Sequence, residues 1–255
     1  MSDYKSIFLS DIHLGSKGCQ SDFLNNFLNS HSCDILFLVG DIIDCWRLKS
    51  KLYWPQSHSD VFNNFLNKSK EGTKVIYITG NHDDFLRNYQ PLELGNLELK
   101  EEHSYTTVKG KKLLIIHGDQ FDVVTRYGKR LSILGDKIYT LLLKINIILN
   151  FFRSRFGFGY WSLAKYLKDK AKKKVNKMSD YEESLSNECK RRNFDGLVCG
   201  HIHKAEISTI NGVSYHNCGD WVESCTALVE TNQGNFKIID WGMIERADIK
   251  LISNG

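Results

Sequence analysis

Five short polar strings combine aspartate, asparagine and histidine at spacings suited to metal binding. They are Asp11-Ile12-His13, Gly40-Asp41-Ile42-Ile43-Asp44, Gly80-Asn81-His82-Asp83, His117-Gly118-Asp119 and Gly200-His201-Ile202-His203. Carboxylate and amide oxygens together with imidazole nitrogens, without thiolate, suit divalent Mn, Zn, Fe or Mg. Seven side chains are candidate ligands: Asp11, His13, Asp41, Asn81, His117, His201 and His203. That is more than one tetrahedral ion uses, which points to two ions sharing a carboxylate, with Asp41 at the centre of the order as the expected bridge. Paired ions about 3.5–4 Å apart lower the pKa of a water and stabilise both oxygens of an in-line displacement, so hydrolysis at phosphorus is the chemistry such a set would perform. Taken singly, an aspartate after a strand is more often a turn or cap residue; the ordered set carries the argument. Asp44, three residues beyond the bridge, is expected to orient a neighbour rather than bind metal, and Asp119 to do the same for His117. His31, His58, His103 and His216 fall outside these strings and read as surface or core residues.

The strings need elements to bring them together. Ser6 to Leu9, Ile35 to Val39 and Val75 to Thr79 read as strands, and the apolar spacing of Phe23, Leu24, Phe27, Leu28 and of Val61, Phe62, Phe65, Leu66 predicts helices between them. Alternation of this kind builds a largely parallel sheet, and loops at the carboxyl ends of its strands form the ligand crevice. Further on, extended runs pair as hairpins: Tyr105 to Val108 with Lys112 to His117, Ala205 to Ile210 with Val213 to Asn217 across Asn211-Gly212, and Ala227 to Glu230 with Phe236 to Trp241. The expected fold class is therefore α/β, two layered sheets flanked by helices, with the three hairpins supplying the second sheet. One domain over 1–255 is expected, with a helical insertion, or cap, at 121–192.

The insertion is the compositional oddity. Its stretch from Leu131 to Phe152 is rich in Leu, Ile and Phe, yet Lys137 and Lys144 interrupt it, so a membrane-spanning helix is not expected. A helix covering an apolar ligand or lying on an anionic membrane surface fits better. Residues 126–177 hold 14 lysines and arginines against two aspartates, a net +12, which leaves −8 for the rest of a chain whose total is +4. For the Lys168 to Lys177 run a solvated helix face is the first reading, anionic lipid the second and nucleic acid the third. The seven cysteines show no C-x-x-C spacing and read as reduced thiols. With no signal-peptide pattern at the amino end, a cytoplasmic location is expected, peripheral on the inner membrane if membrane is touched at all. Nothing in the residues bears on oligomeric state.

The ordered set D-x-H, G-D-x-x-D, G-N-H-D, H-G-D and G-H-x-H resembles the calcineurin-like metallophosphoesterase superfamily, over residues 6 to about 241. The resemblance implies a two-sheet sandwich flanked by helices. It also implies one metal on Asp11, His13, Asp41 and His203 and another on Asp41, Asn81, His117 and His201, with manganese the expected ion. His82 would stand beside the leaving group as general acid or transition-state stabiliser, oriented by Asp83. The strings Ser10 to Gly15, Gly40 to Asp44, Gly80 to Leu86, His117 to Asp122 and Asn217 to Glu223 resemble the UDP-2,3-diacylglucosamine diphosphatase branch. That branch cuts a nucleotide-linked lipid of lipid A biosynthesis to a lipid phosphate and UMP, with a helical insertion accepting acyl chains. Its best-defined enzymes carry Arg where this chain has His82, so the closer likeness is to a sister subgroup. A general phosphodiesterase or phosphatase acting on nucleotides or nucleic acid is the alternative enzyme; a non-catalytic scaffold would be expected to have lost ligands.

Overall fold

Strands rich in Ile, Leu, Val and Phe on both faces need cover on both sides, and the structure, a computed structural model describing residues 2–122, residue 155 and residues 181–244, supplies it with helices on one face and a second sheet on the other. Two compact units are distinguished, Met1–Asp119 with Leu185–Gly255, and Gln120–Ser184. Within the second unit the described residues amount to the end of a 3-10 turn (Asp119–Phe121), Asp122, Arg155 and the start of a helix at Tyr181. The apolar stretch Leu131 to Phe152 and the basic run Lys168 to Lys177 of the expected insertion lie outside the described residues.

In the first unit β1 (Tyr4–Leu9), β2 (Cys33–Val39), β3 (Lys74–Ile78), β4 (Leu92–Leu94) and β5 (Leu97–Lys100) join β11 (Thr226–Glu230) and β12 (Phe236–Asp240) in a seven-stranded sheet of order β12-β11-β1-β2-β3-β5-β4. A five-stranded sheet has the order β6-β7-β8-β10-β9, from β6 (Glu102–Thr106), β7 (Lys112–Ile116), β8 (Gly196–Cys199), β9 (Glu206–Ile210) and β10 (Val213–Asn217). Alternation along β2 sorts the core. Leu36 and Leu38 face Leu24, Phe27 and Leu28 of α1 (Ser21–Ser30) and Val61 and Phe65 of α3 (Gln56–Lys70). Phe37 and Val39 face Tyr105, Leu113, Ile115 and Val198 of the second sheet.

Parallel pairing sets the register that the crevice needs. Leu9 sits opposite Leu38 and Val39 opposite Ile78, so β1, β2 and β3 end level and their loops leave the sheet together. Three local differences from expectation have simple causes. The last hairpin extends the first sheet, not the second: β11 is buried along its whole length and pairs antiparallel with β1, which would otherwise be an unprotected edge. The strand expected at Tyr105 to Val108 runs instead over Glu102–Thr106, because Thr107 to Gly110 close the turn, with Gly110 N–H donating to Thr107 O at 2.9 Å. A short hairpin of β4 and β5 flanks Gly95-Asn96; its two Leu-Glu-Leu triplets were too short to stand out by periodicity.

Phe37 stacks on Phe8 with ring centroids 4.7 Å apart and meets Tyr105 edge-on at 5.2 Å, all three buried. Replacing it leaves a cavity between the sheets. Phe37→Ala is expected to lower the unfolding free energy by about 3–5 kcal/mol, read as a fall in urea midpoint at unchanged slope.

Candidate metal centre

Backbone bonds that continue past the strand ends fix the first two strings against each other. Asp11 N–H donates to Gly40 O (3.1 Å), His13 N–H to Asp41 O (2.9 Å), Leu14 N–H to Ile42 O (2.8 Å) and Asp44 N–H to Leu14 O (2.7 Å). Five of the seven candidate ligands take left-handed backbone: Asp11, His13, Asp41, His201 and His203 have φ between 51° and 69°. Non-glycine residues avoid this region at about 1–2 kcal/mol each, so their concentration at one place marks loops shaped for their side chains. Two glycines allow the crowding. A Cβ on Gly80 would fall 2.2 Å from Asp41 Oδ1, and one on Gly200 would fall 1.8 Å from Ser10 Oγ and 2.6 Å from Asp11 Oδ2.

The side chains so placed form overlapping groups whose donor atoms lie within 4.8 Å of one another: Asp11, His13 and His203; Asp41, His117 and His201; and, between them, His13, Asp41 and His82. His203 Nε2 is 3.2 Å from Asp11 Oδ1, and His117 Nε2 is 3.4 Å from Asp41 Oδ2. His13 Nε2 lies 3.9 Å from Asp11 Oδ1 and 4.0 Å from Asp41 Oδ2. Asp11 and Asp41 are almost wholly buried, and the structure brings all four histidines of the seven candidates to them. Asn81, whose neighbour His82 donates its N–H to Asp41 Oδ1 at 2.8 Å, has a buried Oδ1 that, like His13 Nε2, has no hydrogen-bond partner among the described residues.

This donor set fits divalent cations. Unpartnered buried oxygen and nitrogen atoms beside two buried carboxylates are costly unless a cation takes them up. The electrostatics agree. Burial would raise the pKa of Asp41, yet His117, His82 and His13 hold it well below the usual carboxylate range. Burial would lower that of His117, but the Asp41 charge, its hydrogen bond and Asp11 push it up to about 10. Positive charge is thus strongly favoured where the imidazoles meet the carboxylates.

Two expected supporting roles change hands. Asp83 does not orient His82: its Oδ1 accepts from Gly80 N–H (2.6 Å), and its Oδ2 from Tyr77 OH (2.7 Å) and Ile42 N–H (2.9 Å), so it ties the second and third loops together. His82 Nδ1 lies instead 3.0 Å from Asp44 Oδ1, with Asp44 Oδ2 3.5 Å from His13 Nδ1. The Asp44 carboxylate thus reaches both rings. Asp119 does not hold His117 through a hydrogen bond; its carboxylate pairs with Arg87 Nη2 at 3.0 Å, while His117 Nδ1 meets Val39 O at 2.9 Å. Of the four histidines set aside as surface or core, His31, His58 and His216 bond to Phe27 O, Gly15 N–H and Leu197 O. His103 contacts Phe37.

Sequence reading passed over several residues. Ser10 Oγ lies 2.5 Å from Asp11 Oδ2, which also accepts from His201 N–H at 2.9 Å. Trp46 stacks on the His82 ring at 4.1 Å and 29°. Asn217 Nδ2 donates to Gly200 O at 2.9 Å, pinning the loop of His201 and His203. Ser10 and Asn217 each stand beside a motif, a signal available in advance; Trp46 had none. Trp221 is fully buried against Phe27, so it belongs to the core.

A model described as Calcineurin-like phosphoesterase matches residues 4–205. A UDP-2,3-diacylglucosamine hydrolase of Psychromonas ingrahamii is 23% identical over 85% of this chain and 89% of its own length. One of Vibrio atlanticus is 25% identical over 90% and 94%. A solved archaeal phosphodiesterase covers 92% of this chain and 98% of its own at 12% identity, with a TM-score of 0.44.

Two outcomes follow from the geometry. Manganese at about a hundred times its Kd is expected to stabilise the protein by ~2.7 kcal/mol per site of simple linkage, seen as a rise in Tm, and Asp41→Ala is expected to lose that rise. Gly200→Ala, whose methyl group would drive into Ser10 and Asp11, is expected to weaken manganese binding at least tenfold by isothermal calorimetry; unchanged affinity would show that the close approach is not needed.

Proposed function

The chain belongs to the calcineurin-like phosphoesterase family, a metal-dependent phosphoesterase, and from that premise we propose that it cleaves the phosphoanhydride of UDP-2,3-diacylglucosamine, with water, to a lipid sugar phosphate and UMP. The observation that carries the chemistry is that two donor groups, one including His82, share the Asp41 carboxylate. The names of relatives at 23–25% identity support the substrate.

In this reading Asp11, His13, Asp41 and His203 hold one divalent ion and Asp41, Asn81, His117 and His201 the other, with manganese the preferred species. When bound, such a pair supplies a nucleophilic water near neutral pH and a clamp for phosphoryl oxygens. The chain's own residues do the rest. Asp44 and the Trp46 face fix the His82 ring, whose Nε2 stands 3.9 Å from Asp41 Oδ2 and so at the edge of the centre. A hydrogen bond from Nε2 to an oxygen of the reacting phosphoryl group or leaving UMP would be strengthened as charge develops there. Asp83 keeps the backbone of Ile42 and Gly80 in place, so it supports Asp41 and Asn81 without touching substrate. The insertion at 121–192 is proposed to receive the acyl chains, within one domain spanning 1–255.

His82→Ala is expected to bind manganese with unchanged stoichiometry and lose roughly 10²–10³ in kcat; a variant of near-normal kcat would remove His82 from the reaction. For the substrate, UMP release from UDP-2,3-diacylglucosamine is expected to exceed that from UDP-N-acetylglucosamine by more than tenfold in kcat/KM. Equal rates, or cleavage of bis-p-nitrophenyl phosphate alone, would leave a general phosphodiesterase.

A further inference from the structure

The segment from Trp46 to Trp54, read along the chain, is Trp-Arg-Leu-Lys-Ser-Lys-Leu-Tyr-Trp, with three cations, no acid and five large apolar or aromatic residues. It comprises most of the short helix α2 (Cys45–Ser50) and the extended chain after it. Leu48 and Tyr53 are half-buried, and folding leaves the rest at the surface. Leu52 is 80% exposed, Trp46 43% and Trp54 37%, and Arg47, Lys49 and Lys51 are exposed too. Lys17, from the loop after β1, adds a fourth cation over the Tyr53 ring at 5.8 Å. Asp84, which shares the neighbourhood of Cys45 with Lys49, offsets one charge.

A single exposed leucine is ordinary, but Leu52 stands in a contiguous group with Trp46 and Trp54 and three cations, and such patches mark interaction surfaces. The combination here is specific. Trp and Tyr favour the boundary between hydrocarbon and headgroups, lysine and arginine favour anionic headgroups, and a leucine among them favours the acyl region. A nucleic acid strand would use aromatic faces for stacking, but one face of Trp46 is already taken by His82, and the Trp54 indole is tied through Nε1 to Ser59 Oγ at 3.0 Å. Stacking would leave Leu52 without a role, whereas a bilayer would receive it in the acyl region.

We propose that this surface, Trp46 to Trp54 with Lys17, docks the protein on an anionic lipid bilayer. It is continuous with the candidate metal centre. Asp44, whose carboxylate meets His82, also caps α2 by accepting from Arg47 N–H at 3.0 Å, and Cys45 N–H donates to His82 O at 3.1 Å. A docked molecule would hold the His82 edge of the centre close to the headgroup layer. That gives the surface its purpose under the lipid-linked substrate reading on which it rests: a diacylated nucleotide could be taken from the membrane without first crossing water.

The test reads binding without turnover. Full-length, manganese-loaded protein is sedimented with vesicles of phosphatidylcholine alone and with vesicles of equal parts phosphatidylcholine and phosphatidylglycerol. Binding to the anionic vesicles is expected, falling as salt rises. Reversing two charges, Lys49→Glu with Lys51→Glu, is expected to weaken it at least tenfold, and Leu52→Ser by roughly tenfold. Both variants should keep wild-type hydrolysis of bis-p-nitrophenyl phosphate, which shows that fold and centre are intact. Anionic vesicle binding that neither variant weakens would place the docking surface elsewhere and overturn the inference. So would an absence of vesicle binding, or tighter capture of a single-stranded oligonucleotide through Lys49 and Lys51. Vesicle binding that depends on Leu52 and the lysines, in a protein that does not cleave UDP-2,3-diacylglucosamine, would instead sustain the docking surface and overturn the substrate reading.

Discussion

Asp11 and Asp41 are two carboxylates buried within reach of the same imidazoles, and most of the structure around them can be understood as the means of tolerating that arrangement. Two like charges out of water repel each other and lose solvation, so the site is stable only if positive charge and hydrogen-bond donors are delivered to the same place. Four histidines bring imidazole nitrogens there, and backbone N–H groups of His201 and His82 donate to Asp11 Oδ2 and Asp41 Oδ1. These groups come from the loops after β1, β3, β7 and β8. The burial of the carboxylates therefore demands that strands far apart in sequence end at the same level.

Parallel pairing meets that demand at little cost for β1, β2 and β3, because consecutive βαβ units carry the chain back to the same edge. It does not place the side chains. Those emerge from left-handed residues, and the strain is held by backbone bonds running between the first two loops and by the Asp83 carboxylate between the second and third. Asp83 is thus a structural counterpart of Asp41: one ties backbones, the other gathers cations. Its own burial and the nearby Asp41 raise its pKa, while Tyr77 and Gly80 donate to it and offset that rise.

Much of this was legible in the sequence, and the limits are physical. The three strands of the parallel core could be read because strands buried on both faces are continuous apolar runs; the seven candidate ligands could be singled out because each group stands directly after an apolar strand, of one sheet or the other, in residue types that share one chemistry. The partner of each supporting carboxylate could not. Asp83 follows His82, but neighbouring side chains in a tight loop point apart, and the ring is met by Asp44 from 38 residues away. Similarly, Asp119 was near enough to His117 in sequence to suggest a pair, whereas Arg87 offers it a full charge. Sheet membership of the last hairpin was also beyond local reading, since Ala227 to Glu230 would suit either sheet and only the unprotected edge of β1 decides.

Asp44 shows why such long-range assignments matter for function. A carboxylate three residues after Asp41 reads as an accessory to that one ligand, yet it simultaneously meets His82 Nδ1, faces His13 Nδ1 and caps α2. Burial opposes its negative charge, but the hydrogen bonds from His13, His82 and Arg47 outweigh that and keep its pKa below the usual carboxylate range. One charged group therefore sets the orientation of a candidate ligand, of the ring at the edge of the centre, and of the helix whose Trp46 covers that ring. Displacing α2 would tilt His82 and loosen Asp44 together. The surface that carries Trp46 and Leu52 is consequently coupled to the centre by a short covalent and hydrogen-bonded path, so that contact on its outside and geometry on its inside are two ends of one small rigid element.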